Sequence, residues 1–195
     1  MGLRLINSLA ATKDSKQPKV AIESVHINYK NKLVRAKKLT MSSVISMPID
    51  KAWETLKTPA LLQFIAKGMM HFKFVGGKTP DFWQEGETYA VKLQIFGFLP
   101  FGGTHYLHIE YINKDELVII TKEWDKGAKV WNHSIQMKDL GNGCFLYKDS
   151  IVIYGGIITR PIAFFAKKFY EHRQKRWQIV ASKNMDFNSP NLQNR

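Results

Sequence analysis

The sequence predicts an α+β domain in which a curved antiparallel sheet wraps around one long C-terminal helix, with two short helices after the first strand. Three observations predict it. Six strand-like segments between residues 70 and 154 are separated by short stretches of turn residues. Residues 50–65 place Ala52, Trp53, Leu56, Leu61, Leu62, Phe64 and Ile65 at helical spacing. Residues 157–184 carry an apolar stripe through Ile158, Ile162, Phe165, Phe169, Trp177 and Val180. Such a stripe has to be buried, and the concave face of the sheet is the only large apolar surface available.

Taken in order, residues 1–34 are polar and basic with little periodicity and read as a tail or an extra edge element. RAKKLTMSSVISM, residues 35–47, reads as the first strand. Pro48 and Asp50 then suit a helix start, and Pro59 divides the helical stretch in two. The runs MHFKFV, TYAVKLQIFGF, THYLHIEYI, LVIITKEW, KVWNHSIQM and CFLYKDSIVIY follow, joined by short loops, as an antiparallel meander. Gly155-Gly156 ends the last of them. Pro161 falls within the first turn or so of the terminal helix, where proline is tolerated. The organisation is a basic N-terminal extension (1–36), one domain (37–185) and a polar C-terminal tail (186–195).

A chain of 195 residues with 45% hydrophobic and 12% aromatic residues is enough for one domain with a real core. The single cysteine, Cys144, excludes an internal disulfide framework and a cysteine-cluster zinc site. No apolar run reaches the roughly 20 residues a membrane-spanning helix needs. The N-terminal apolar run is too short and broken for a good secretory signal. Ile6 stands where a myristoylation pattern needs Ser or Thr. A cytoplasmic protein, peripheral to a membrane, is the expectation.

The net charge of +13 sits at the two ends. Residues 1–38 hold nine Lys/Arg against Asp14 and Glu23, residues 157–195 hold eight against Glu171 and Asp186, and the interior is balanced. This asymmetry points to an anionic membrane surface as partner through the basic termini, or to simple solubility. The order of elements matches none of the usual nucleic-acid-binding motifs.

In KVWNHSIQMKD, residues 129–139, Trp131, Ile135 and Met137 share one parity, and His133 shares it with them. A loop centred on LGN pairs Met137 with Phe145, and therefore His133 with Asp149 and Trp131 with Ile151. A buried imidazole and a buried carboxylate satisfy one another across the strands. Steps of four from Phe165 through Phe169 reach Arg173, which needs an acceptor on the same apolar face, and Asp149 is the nearest candidate. This cluster either locks helix to sheet or forms the polar floor of a ligand cavity.

The order of these elements and three short motifs resemble the SRPBCC superfamily: the START, polyketide-cyclase and birch-pollen-allergen-like helix-grip domains. The motifs are Trp131-Asn132-His133, Asp149 through Tyr154, and Tyr170-Glu171-His172-Arg173. Bacterial ligand-binding members carry them in this order. The resemblance covers roughly residues 37–184. It departs at Gly155-Gly156-Ile157, where a proline-and-glycine approach to the helix is usual. It implies an interior cavity for a hydrophobic or amphipathic molecule such as a lipid, with no cofactor.

No nucleophile elbow, P-loop, zincin or dinucleotide motif is present. His105 and His108 are three apart on a strand, point to opposite faces and cannot chelate one ion together; one of them fills the sheet. The expected ligand-binding residues are Tyr89, Val91, Leu93, Phe98, Trp131, His133, Asp149, Phe165, Phe169 and Arg173. Phe98 belongs to IFGFLPFGG, whose aromatic tip either packs on the terminal helix or forms an apolar lip at the cavity mouth. The expected function is binding, with transport possible, of a hydrophobic molecule. The alternative is a cofactor-free cyclase or isomerase with His133 as general base.

Overall fold

The structure, a computed structural model, describes residues 18–187. Its elements are β1 (Lys19–Tyr29), β2 (Lys32–Ser46), α1 (Ile49–Leu56), α2 (Pro59–Ala66), β3 (Met70–Phe74), β4 (Thr88–Ile95), β5 (Leu99–Asn113), β6 (Val118–Trp124), β7 (Val130–Gly141), β8 (Cys144–Tyr154), a 3₁₀ turn (Gly156–Ile158) and α3 (Thr159–Ser182). The strands form one antiparallel sheet in the order β1-β2-β8-β7-β6-β5-β4-β3. α3 lies across it, packed chiefly on β2. This is the helix-grip architecture.

Local chemistry accounts for the breaks. Pro59 supplies the fixed φ of a first helical residue, and the Thr58 hydroxyl accepts the Leu61 N–H at 3.2 Å, so the proline that ends α1 also starts α2. Lys30 and Asn31, at φ 49° and 61°, make the tight turn between β1 and β2. Gly155 has to be glycine for a steric reason: a Cβ there would stand 2.6 Å from Ile162 Cδ1 and 2.7 Å from the Gly127 carbonyl oxygen. The chain thus enters α3 pressed against the β6–β7 turn.

Three expectations change. The expected boundary at 36/37 falls inside β2, while of the two readings of residues 1–34, a tail or an extra edge element, residues 19–34 take the second, in a hairpin that extends the sheet. The LPFGG segment is not a plain turn. β5 begins at Leu99 and absorbs the glycines in a register shift opposite Lys92 and Leu93. The β7–β8 register is offset by two. Met137 faces Tyr147, His133 faces Ile151, Ile135 faces Asp149 and Trp131 faces Ile153. The turn closes on Asn142-Gly143, both at positive φ, with a bulge at Asp139–Gly141, rather than on LGN. A two-residue offset preserves side-chain parity, so every inward residue stays inward.

The core divides into two parts. One gathers β3, β4, Trp131 and the first half of α3. The other gathers α1, α2 and the second half of α3 around Trp53 and Trp177.

Candidate functional site

Between the two core parts a polar belt crosses the concave face of the sheet: His105 on β5, Thr121 and Glu123 on β6, His133 on β7 and Asp149 on β8, all buried. Alternation puts these residues on one face, and antiparallel pairing sets them side by side.

Asp149 is fully buried and saturated with donors. His133 Nε2 lies 2.7 Å from Oδ1, the Tyr147 hydroxyl donates to Oδ1 at 3.3 Å, and the Gln174 amide donates to Oδ2 at 3.1 Å. Burial alone raises a carboxyl pKa. Here the His133 bond and the nearby Arg173 charge outweigh it and hold Asp149 below the usual range. The direct cross-strand pair expected of His133 and Asp149 becomes a diagonal one, and the side chains still meet.

Arg173 does not take the acceptor expected of it. Among the described residues it forms no ion pair with Asp149; Gln174, the next residue of α3, occupies that place. The guanidinium instead lies 4.7 Å from the Tyr170 ring centre and 5.7 Å from that of Phe169. Its Nε is buried with no hydrogen-bond partner. A buried cation with an empty donor is costly and has affinity for an oxygen.

The second cluster went unseen in the sequence. His105 Nδ1 faces Asp125 Oδ2 at 2.9 Å and its Nε2 faces Glu123 Oε2 at 3.0 Å. Thr121 Oγ1 donates to Glu123 Oε1 at 2.5 Å, and Asp125 Oδ1 accepts the Gly127 and Ala128 N–H groups at 2.7 Å each. With both ring nitrogens on carboxylates, both donate, and the ring is an imidazolium. Burial pulls its pKa down, but the two carboxylates outweigh burial and push it up to about 9. Gly102 is required beside it, since a Cβ there would stand 2.7 Å from Asp125 Oδ2. His108 is on the other face, hydrogen-bonded to Thr88. The β5–β6 register, which sets Tyr106 opposite Trp124, is the signal that brings His105 to Asp125.

A cavity of about 50 Å³ opens between these clusters and α3. Leu93, Phe101, Trp131, Phe165 and Phe169 make its apolar wall, and His105, Glu123, Asp125 and Arg173 its polar one. A second cavity of about 50 Å³ lies toward α2, and Leu62, Leu107 and Arg173 line both. Of the expected ligand-binding residues, Leu93, Trp131, Phe165, Phe169 and Arg173 line the first cavity. His133 and Asp149 stand behind its wall. Val91 is core. Tyr89 packs with Phe74 and Trp83, its hydroxyl accepting the Gln84 N–H. Phe98 is 74% exposed at the β4–β5 tip.

No protein-family model and no curated sequence matches the chain. Solved structures do match. A START superfamily protein from Mycobacterium smegmatis superposes with a TM-score of 0.57 at 11% identity, over 76% of this chain and 99% of that one. The chain shares the helix-grip fold of these structures. Protein Ms6760 from the same organism gives 0.57 at 8% identity, over 73% and 89% of the two chains. Ginseng major latex-like protein 151 from Panax ginseng gives 0.55 at 13%, over 75% and 97%. The similarity leaves out about a quarter of this chain. No helix among the described residues is long and apolar enough to cross a membrane.

Proposed function

We propose that the protein binds a hydrophobic or amphipathic small molecule, such as a lipid, between the sheet and α3, with Arg173 receiving its polar head. One observation carries the reading: a guanidinium in an aromatic-walled cavity, with Nε buried and without an acceptor. A cavity of about 50 Å³ holds only a few waters, each needing about 10–15 Å³. An acyl-sized ligand therefore needs the two cavities joined. The side chains between them, Leu62, Leu107 and Arg173, are long and can change rotamer. In this reading the protein is a cytoplasmic carrier, peripheral to a membrane. Native mass spectrometry of freshly purified protein tests it. A co-purified amphiphile is expected, and it should be lost in Arg173→Met.

A cofactor-free cyclase or isomerase with His133 as base asks more of the geometry. Its Nε2 is already engaged by Asp149, and the ring is not among the residues lining the cavity. His133→Gln separates the readings. A carrier keeps its fold and changes affinity modestly, whereas loss of a general base lowers turnover by about 10²–10⁴-fold.

A further inference from the structure

Three segments converge at the end of the domain where α3 begins. The Phe101 ring stacks on Phe165 at 6.2 Å, which sets the β4–β5 hairpin against the first turns of α3. Gly102 abuts Asp125 of the β6–β7 turn, and Gly127 of that turn abuts Ile158. Phe101, Asp125, Ile162 and Phe165 all line the first cavity, so this end is its mouth.

The mouth is ringed by apolar side chains left in solvent. Ile157 is fully exposed, Phe98 is 74%, Phe164 66% and Leu99 52% exposed. Phe96 sits in the hairpin turn at φ 54°, a conformation that a bulky residue adopts rarely and glycine or asparagine adopts readily. Backbone strain is thus accepted where a large apolar residue stands at the tip. Isolated exposed apolar residues are ordinary, but several around one opening mark an interaction surface.

The same end is positively charged. Lys126 and Lys129 stand on the β6–β7 turn and Arg160 in the first turn of α3, all exposed. Lys129 Nζ lies 3.6 Å from where a Cβ on Gly156 would be, which sets it beside Ile157. None of the three has an acidic ion-pair partner among the described residues. The first turn of α3 carries no acidic residue, so the positive end of the helix dipole adds to the field. By contrast, Arg176, counted earlier with the basic terminus, donates to the Phe64 carbonyl and covers the Phe64 ring, on α2. Lys167 and Lys168, also of that basic stretch, pair with Glu171; residues 1–17 and 188–195, part of the same expectation, lie outside the described residues.

We propose that this mouth docks on an anionic lipid bilayer, with Ile157, Phe164 and the Phe98–Leu99 tip entering the interface and Lys126, Lys129 and Arg160 meeting the head groups. Apolar insertion beside lysine and arginine suits a charged lipid surface better than an acidic protein or nucleic acid, neither of which offers an apolar interior. The purpose of such docking, transfer between bilayer and cavity, rests on the ligand-binding reading. The docking itself is measured separately.

The experiment is co-sedimentation of the full chain with vesicles of phosphatidylcholine alone or mixed with phosphatidylglycerol. Wild type should bind the mixed vesicles. It should release as salt rises from about 0.1 M to about 1 M, where the screening length falls from roughly 10 Å to roughly 3 Å. Each basic residue at an anionic surface is worth about fivefold in partition, so K126Q/K129Q/R160Q should lose about tenfold to a hundredfold. I157S/F164S should lose binding at low salt while keeping the wild-type thermal midpoint, since both side chains are exposed. Equal partition to both vesicle types, or full binding by I157S/F164S, would overturn the proposal. So would a nucleic-acid duplex bound equally by wild type and I157S/F164S while vesicles are ignored. Co-purification of an amphiphile without vesicle binding would sink the docking face and leave the cavity reading intact. Vesicle binding without any cavity ligand would do the reverse.

Discussion

The buried imidazolium makes stability fall in alkali. His105 is 4% exposed, and its pKa of about 9 stands above the ordinary 6.5. A group whose folded pKa is raised contributes stability that is complete below its unfolded pKa and vanishes as pH climbs through the folded one. The window is therefore pH 6.5 to 9. A shift of about 2.5 units corresponds to about 3 kcal/mol, of which about 2–3 kcal/mol remains at pH 7 and almost none at pH 10. The groups facing the ring are the Glu123 and Asp125 carboxylates; burial raises the Glu123 carboxyl, but the His105 bond and charge outweigh burial and hold it below its ordinary value, so its titration falls below this window and does not cancel the effect. The assay is urea unfolding at pH 7 and pH 10, followed by tryptophan fluorescence, for wild type and His105→Gln. Gln cannot be protonated, so tyrosine and lysine titrations common to both chains drop out of the comparison. Wild type should lose about 2–3 kcal/mol more than the variant between the two pH values. Parallel losses in both proteins would refute an imidazolium between two carboxylates.

Asp149→Ala removes the acceptor of His133, Gln174 and Tyr147 from a fully buried position and takes away the compensating charge near Arg173. It should cost roughly 3–5 kcal/mol in denaturant unfolding. Gly155→Ala places a methyl 2.6 Å from Ile162 Cδ1 and 2.7 Å from a backbone oxygen. It should lower stability by about 1–3 kcal/mol, read as a drop in thermal midpoint. Gln174→Leu leaves Asp149 Oδ2 without its donor and should cost about 1–3 kcal/mol, with Asp149 titrating at higher pH in carboxyl-labelled NMR.

The 24-residue α3 and the six-strand meander were legible because their periods, near four and two, are written directly in the apolar residues. Pro59 announced the split between α1 and α2. β1 was only half legible, as a tail or an extra edge element: its first six residues are exposed on both faces, and only Val25, Ile27 and Tyr29 alternate as half-buried positions. Pairing was legible only to within parity. Asn142-Gly143 and a bulge set the β7–β8 register, and neither changes the inward set that the alternation shows. The site was half legible for the same reason. His133 and Asp149 are residues on strands with clear alternation. Asp125 lies past the end of β6 in a turn, so only the fold brings it to His105. Arg173 was found by stepping along one stripe of α3, but the buried face is wider than that stripe. Gln174 beside it is fully buried and takes the acceptor assigned to Arg173.

The central claim is that Arg173 receives the polar head of an amphiphile in the cavity under α3. Titration with decanoate and with decylamine, read by fluorescence of Trp131 in the cavity wall, tests it most directly. A hydrogen bond to a charged group is worth about 1.5–3 kcal/mol, so wild type should favour the carboxylate by about tenfold to a hundredfold. Arg173→Met, which keeps the apolar stem and removes the donor, should erase the preference. Equal affinity for the two probes in wild type, or an unchanged preference in Arg173→Met, would contradict the account.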